Sequence, residues 1–398
     1  MSIVLFDEKS ECCGCTACYA KCPQHAIEMK VDEKGFLYPE IDTSKCIECQ
    51  ICKTVCDFKN KNVKNENRIK QEVWALKHKD SEVLKKSSSG GAFTAISDLI
   101  LKNKGRVAGV ILNENLLAQH LIVDNATQRN DMCGSKYMQS ELRNVYCEVK
   151  TSLENNIPVL FTGTPCQVAG LKLFLGNVDI SNLYTCDFIC HGVVSPLLFR
   201  EYIKFIEKKS HKKVANHIFR SKIHGWGHTE GNIFIDGTKD YDSFESQLHK
   251  TVFYADLGER PSCYFCKYTS IERCSDITLG DYWGIKETMP DFYSNEGVSV
   301  ILVNTNKGKK IINGLSDEVE LRKAQIKDVV GKQPQLEHPV HNNPEKEKFW
   351  NCLTKKGYIK AVKKYVLKTS YRRILKITKK LGIYELMRKI KHMVIKHE

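Results

Sequence analysis

A chain of 398 residues allows two or three domains of ordinary size. Hydrophobic residues make up 42% and charged residues 27%, enough for a substantial core, which excludes a disordered or collagen-like chain. The net charge is +14, but residues 355–398 hold fifteen Lys or Arg against two acidic residues, so the basic character belongs to the tail. No run reaches the roughly eighteen apolar residues of a bilayer span. Only four apolar residues, Ile3 to Phe6, precede the first acidic one, too few for a secretory segment. A cytoplasmic protein is expected. In that reducing setting eighteen cysteines call for metal rather than disulfides.

The cysteines open the chain as an internal repeat. Cys12, Cys15, Cys18 and Cys22 follow C-x2-C-x2-C-x3-C with Pro23 next, and Cys46, Cys49, Cys52 and Cys56 repeat that spacing 34 residues on. Three thiolates on a tight loop face three corners of one cubane, while the fourth, after a longer step, reaches the other. This assigns Cys12, Cys15, Cys18 and Cys56 to one 4Fe-4S cluster, and Cys46, Cys49, Cys52 and Cys22 to a second. The pattern is that of bacterial-type two-cluster ferredoxins, and residues 1–58 form such a domain. Two structural zinc sites would favour paired C-x2-C knuckles over four-cysteine runs. Ala26–Val31 and Phe36–Ile41 flank Asp32-Glu33-Lys34-Gly35 and read as a hairpin. Asp57 stands where a proline is frequent, and Cys13 is a ninth thiol with no place in the pattern.

The polar stretch 59–70 reads as a linker. From there strands and helices alternate. Strands are expected at Glu72–Leu76, Arg106–Leu112, Leu116–Val123, Pro158–Phe161, Leu183–Ile189, Asp276–Leu279 and Val298–Val303. Helices are expected at Gly91–Lys102, Gln167–Leu175 and Pro196–Lys208. The fold class is α+β (mixed α/β): a small two-cluster domain, then a larger α/β domain over 71–342, then a helical basic tail over 343–398. Glycine-rich turns at Ser87–Gly91, Gly134–Tyr137 and Gly163–Cys166 stand at element ends where an anion or ring edge fits, although such turns are often only turns. No G-x-G-x-x-G or Walker A motif is present, which argues against a standard Rossmann NAD site.

The later cysteines make a second constellation. Cys263 and Cys266 form a C-x2-C knuckle, Cys274 follows, and Cys166 and Cys190 stand at strand ends. Spacing alone leaves a third cluster, a zinc site and unliganded thiols open. Cys133, Cys147, Cys186 and Cys352 read as small packed residues.

Ser89-Gly90-Gly91, Gly134-Ser135-Lys136-Tyr137, Gly163-Thr164-Pro165-Cys166-Gln167, Ile189-Cys190-His191-Gly192, Ser262–Cys266 and Asp276–Gly284 stand in an order that resembles the coenzyme F420 hydrogenase/dehydrogenase β-subunit family. The resemblance covers residues 8–335 and implies an iron–sulfur flavoprotein oxidoreductase that binds FAD. By the same resemblance Cys166, Cys190, Cys263 and Cys266 hold a third 4Fe-4S cluster, with Cys274 an extra thiol nearby. Ser89, Gly90, Gly91, Lys136, Tyr137, Gly163 and Thr164 line the flavin, Lys136 against its pyrophosphate. His191 is the candidate proton donor or acceptor, with a merely packed histidine as the plain alternative.

The function expected is electron passage between FAD and 4Fe-4S clusters. Its hydride partner is a deazaflavin or another small molecule, polysaccharide precursors among them, and its electron partner a protein such as ferredoxin. The alternative is an electron-transfer subunit without its own substrate site, docked on a partner enzyme. In the tail, Tyr358, Ile359, Val362, Tyr365 and Val366 share one face beside lysines, and Ile383, Met387, Ile390 and Val394 repeat the pattern. Such a face suits an anionic membrane surface at the inner side of the cell membrane, or docking on a partner or on the domain itself. No nucleic-acid motif accompanies it.

Overall fold

The computed structural model describes residues 3–58, 68–315 and 317–367. The N-terminal repeat is visible as geometry. Helices Ala17–Lys21 and Ile51–Thr54 each follow a residue in the left-handed region, Thr16 at φ 61° and Gln50 at φ 60°, so each cysteine loop turns sharply into its helix. Strands β1 (Ile27–Val31) and β2 (Leu37–Ile41) pair as the expected antiparallel hairpin. Asp32 shapes its turn by accepting from the Lys34 and Phe36 backbone N–H groups.

Eleven further strands build two sheets: β3 (Arg68–His78), β4 (Arg106–Leu112), β5 (Ala118–Val123), β6 (Val159–Thr162), β7 (Leu183–Phe188), β8 (Val214–Ser221), β9 (Thr229–Phe234), β10 (Lys239–Asp240), β11 (Ile277–Asp281), β12 (Ser299–Thr305) and β13 (Val319–Ala324). The large sheet runs β13-β3-β12-β11-β7-β6-β4-β5, and β8, β9 and β10 form a separate antiparallel sheet. The apolar run of β12 is buried along its whole length, as a central strand covered on both faces should be.

In the large sheet β4, β6, β7 and β11 run parallel, and β3 points the same way because both β3 and β11 are antiparallel to β12. Their carboxyl ends therefore open on one edge, the usual place for ligands in such sheets. Gly163–Cys166, Ile189–Gly192 and Tyr282–Gly284 leave the sheet there.

The N-terminal domain packs against the large one. Ala17 and Val55 share a core with helices Val145–Glu154 and Pro165–Leu175. Gly170 makes this approach possible, since a Cβ there would stand 2.8 Å from the Cys15 Sγ and 2.9 Å from its Cβ. At the hairpin turn Lys34 pairs with Glu347 at 2.7 Å. At the far end Asp57, buried, pairs with Lys267 at 3.0 Å.

Two boundaries differ from the sequence reading. β3 begins at Arg68, inside the expected linker, whose residues 59–67 lie outside the described part. Helices Lys346–Lys356 and Tyr358–Ala361 belong to the body: Phe349, Trp350, Tyr358 and Val362 are buried against Phe199 and Tyr202, with Ile359, Tyr365 and Val366 packed beside them. The apolar face offered to a membrane is thus turned inward as far as residue 367. Lys368, Ile383, Met387, Ile390 and Val394 lie outside the described residues. Among the described residues no helix is long and apolar enough to cross a membrane.

Candidate functional site

The eight cysteines of the N-terminal repeat gather in two places. Cys22, Cys46, Cys49 and Cys52 line one cleft between Ile27, Ile41 and Ile47. Burial, then the neighbouring Cys12 and Cys56, pushes the Cys18 thiol up, which places the fourth cysteine of the second run beside the first loop. A thiol so placed ionises only with an electropositive centre among its neighbours, and a cubane supplies one.

Cys166, Cys190, Cys263 and Cys266 converge at the carboxyl edge of the sheet. Burial is the first cause of the rise in all of them except Cys166, where Cys13 comes first and burial second; Cys190 feels Cys166 and Cys266, and Cys263 feels Cys190, Cys266 and Cys166. For Cys266 the rise is to about 12, from burial and then Cys166. Cations surround the set: Arg273 and Lys267 act on Cys266, and Arg260 acts on Cys166. Among the described residues, the trios of potential metal ligands with atoms within 4.8 Å of one another contain no cysteine. Four thiols gathered beside fixed cations are donors that zinc and iron–sulfur centres share. The donor set fits a cubane.

Cys274 stands apart from these four, buried, its thiol donating to the Pro165 carbonyl at 3.3 Å. Cys13, which has no place in the repeat, lies near both sets: its thiol is pushed up first by Cys15, while Cys166 lowers it. Cys186 and Cys352 are buried as expected, whereas Cys147 is exposed and Cys133 only half-buried.

Arg260 was not legible as a site residue. Its side chain is buried and stacks over Tyr38, with the guanidinium carbon 4.1 Å from the ring centre. It donates to the Cys12 carbonyl at 2.7 Å, the Gln139 Oε1 at 2.8 Å, the Leu37 carbonyl at 3.0 Å and the Cys12 Sγ at 3.6 Å. A fixed cation thus stands between the first cysteine loop and Cys263, whose N–H donates back to the Arg260 carbonyl.

The loops expected around a flavin gather in part. Ser87–Gly91 and Gly134–Tyr137 meet where the Ser135 N–H donates to the Ser88 Oγ at 2.8 Å. Arg220 ties them together, donating to the Tyr137 hydroxyl at 3.1 Å and the Ser88 carbonyl at 3.2 Å while gripping Asp281. Gly90 is required sterically, since a Cβ would lie 2.1 Å from the Leu76 carbonyl. Ser89 donates to the Val298 carbonyl at 2.8 Å. The helix Ala92–Lys102 starts at Gly91 without a side-chain cap, leaving its first N–H groups to an anion.

Lys136 departs from its expected place. It is spent on the carbonyls of Asp131, Met132 and Cys133 at 3.0–3.1 Å, and burial brings it down to about 8. With all three donors committed it is not presented to a pyrophosphate. Lys222, beside the same loop, donates to the Leu84, Ser89 and Glu296 carbonyls. Gly163 and Thr164 serve the turn into the helix Pro165–Leu175, where Thr164 and Gln167 form a reciprocal cap. The Thr164 Oγ1 also lies 3.1 Å from the Cys166 Sγ, nearer the cysteine set than the two serine loops.

Trp226 and Trp283 stack at 4.9 Å, with the Trp226 N–H donating to Asp281 at 2.8 Å. Both indoles escaped the sequence reading of the site, although Trp283 lies inside a quoted motif.

His191 has both ring nitrogens occupied. The Gln335 amide faces its Nδ1 at 3.0 Å, and Nε2 faces Asp256 at 2.8 Å, an arrangement that puts the proton on Nε2. Glu259 lies beside this pair and was missed. Burial, then Asp256, lifts its carboxyl to about 8. Its Oε2 accepts from Tyr264 at 3.2 Å, and Oε1 has no hydrogen-bond partner among the described residues.

Residues 158–329 match the family described as the C terminus of the beta subunit of coenzyme F420 hydrogenase/dehydrogenase. Residues 11–60 match the 4Fe-4S dicluster domain. No curated protein matches the sequence. A chain of the F420-reducing [NiFe] hydrogenase complex from Methanosarcina barkeri, solved as a xenon derivative, is 16% identical with a TM-score of 0.42, over 75% of this chain and 91% of that one. The match to the C terminus of the coenzyme F420 hydrogenase/dehydrogenase beta subunit thus covers residues 158–329, with a match to the 4Fe-4S dicluster domain over residues 11–60 in front of it.

Proposed function

We propose that this iron–sulfur oxidoreductase carries three 4Fe-4S clusters and FAD on one chain and passes electrons between a hydride-bearing small molecule and a redox partner protein. The observation that carries the reading is the approach at Gly170, in the helix that carries Cys166, where a Cβ would stand 2.8 Å from the Cys15 Sγ. The third centre is assigned to Cys166, Cys190, Cys263 and Cys266. When bound, the flavin exchanges a hydride with its substrate and hands the two electrons on singly to clusters.

This chain's own residues set the surroundings for that exchange. Ser88 and Ser135 pin the two loops that would border the cofactor, and the uncapped amino end of Ala92–Lys102 supplies N–H groups for its phosphates. Arg220, held by Asp281, fixes a positive charge and the Tyr137 hydroxyl at the same place. Glu259 holds a proton near neutral pH, and His191 holds one on Nε2 next to Cys190, so both can answer charge that arrives at the sheet edge. The hydride partner is a deazaflavin or a polysaccharide precursor.

Flavin content tests the reading. Full-length protein purified without air should release about one FAD per chain on denaturation, and Arg220→Gln should release much less. Flavin-free protein that takes up none on incubation with FAD favours the bare electron-transfer subunit docked on a partner enzyme.

A further inference from the structure

A second ligand constellation lies in the small sheet, away from every cysteine. His217 on β8, Glu230 on β9 and His249 on the helix Leu248–Phe253 bring one ligand atom each within 4.8 Å of one another, and all three are buried. The His249 Nδ1 lies 2.9 Å from the Glu230 Oε1, and the His217 Nε2 lies 3.8 Å from the Oε2. His228 adds a fourth imidazole, its Nε2 3.4 Å from the same Oε1.

The hydrogen bonds around His217 decide what its inner nitrogen offers. The Tyr202 hydroxyl donates to the Ser246 carbonyl at 3.0 Å and so accepts from the Asn232 amide at 3.1 Å. That fixes the Asn232 oxygen toward the His217 Nδ1, 3.0 Å away, which must carry the ring's proton. The Nε2 is left as a bare lone pair. It has no hydrogen-bond partner, and neither has the His228 Nε2.

Across from these lone pairs stands a carboxylate. Its Oε1 faces the His249 Nδ1 at 2.9 Å and its Oε2 accepts from the Lys250 N–H at 2.9 Å. The His217 lone pair therefore faces the Glu230 Oε2 at 3.8 Å with no hydrogen between them, among the rings of Phe199, Tyr202 and Phe219. Such an arrangement is costly unless a cation stands in the middle.

We propose that His217, Glu230 and His249 bind a divalent transition-metal ion, with His228 placed to complete the coordination. Imidazole and carboxylate ligands select a borderline ion, and Zn²⁺ suits a closed four-ligand N/O set. Asn232 on His217 supplies the orienting hydrogen bond that metal-bound histidines usually have, and the Lys250 N–H at 2.9 Å does the same for Glu230. The ion would clamp β8, β9 and the helix Leu248–Phe253, which carries Phe253 against Tyr137 and His191.

The test uses the full-length protein, expressed with added zinc, purified without air and dialysed against a chelator. Elemental analysis should find about one zinc per chain beside the iron. His217→Gln and Glu230→Gln should each reduce it more than tenfold while iron stays unchanged, which also shows that the variants fold. Should the variants not fold, cobalt(II) loaded into the zinc-free parent protein gives the answer. Visible d–d bands without thiolate-to-cobalt charge transfer support the site. Absence of any non-iron metal with no cobalt uptake, zinc unchanged in both variants, or a thiolate charge-transfer band each overturns it.

Discussion

Arg260→Met is expected to lower the reduction potential of the cluster assigned to Cys12, Cys15, Cys18 and Cys56 by roughly 60–130 mV. The guanidinium donates to the Cys12 Sγ from 3.6 Å and is buried, so solvent screens it little. A hydrogen bond from a charged donor contributes about 1.5–3 kcal/mol, which for one electron is that range, since a factor of ten is about 59 mV. The oxidised cluster carries less negative charge than the reduced one, so losing a nearby cation disfavours reduction. The substitution also leaves the Cys12 and Leu37 carbonyls and the Gln139 Oε1 without their donor, which should destabilise the junction by about 3 kcal/mol or more. Redox titration followed by electron paramagnetic resonance reads the potential. An unchanged value would show that Arg260 merely fills space.

Exchange of the fourth cysteine between the two N-terminal runs has an equally large expected consequence. Cys22→Ser should disable the cluster in the cleft of Cys46, Cys49 and Cys52, and leave intact the one beside Arg260. Cys56→Ser should do the reverse, because Cys56 lies near Cys18 of the first run. Each variant should lose about four irons or retain an altered cluster with a shifted potential. The identity of the surviving signal is the informative readout: Arg260→Met should shift it in Cys22→Ser and leave it unmoved in Cys56→Ser. The opposite pairing would mean that each run ligates its own cluster.

The N-terminal half of the fold was legible because its information is local. Ligand spacing, the Asp32–Gly35 turn and the 34-residue offset are all properties of short stretches. The central strands showed for the same reason, as β12 is an unbroken buried apolar run. The small sheet did not show, because its strands bury polar residues: His217, Glu230 and Asn232 face inward where alternation would call for apolar ones. The amphipathic face of Tyr358 and Val362 was legible as a face, but periodicity cannot say whether lipid or Phe199 and Tyr202 will cover it.

The candidate site divides along the same line. The motifs carried the cysteines and the serine–glycine loops, whereas Arg260, Cys13, Asp57 and Glu259 acquire their roles only through distant partners. Arg260 reaches Cys12 across 248 positions, and Lys267 reaches Asp57 across 210. Lys136 shows the converse error, since a cation in a glycine-rich loop suggests a phosphate, yet the fold spends it on three carbonyls.

Iron content of anaerobically purified full-length protein, compared with Cys263→Ser, bears most directly on the proposed three-centre relay. At four irons per cubane the parent protein should contain about twelve, and the variant about eight with both N-terminal signals retained. About eight irons in both proteins would contradict a third cluster at Cys166, Cys190, Cys263 and Cys266.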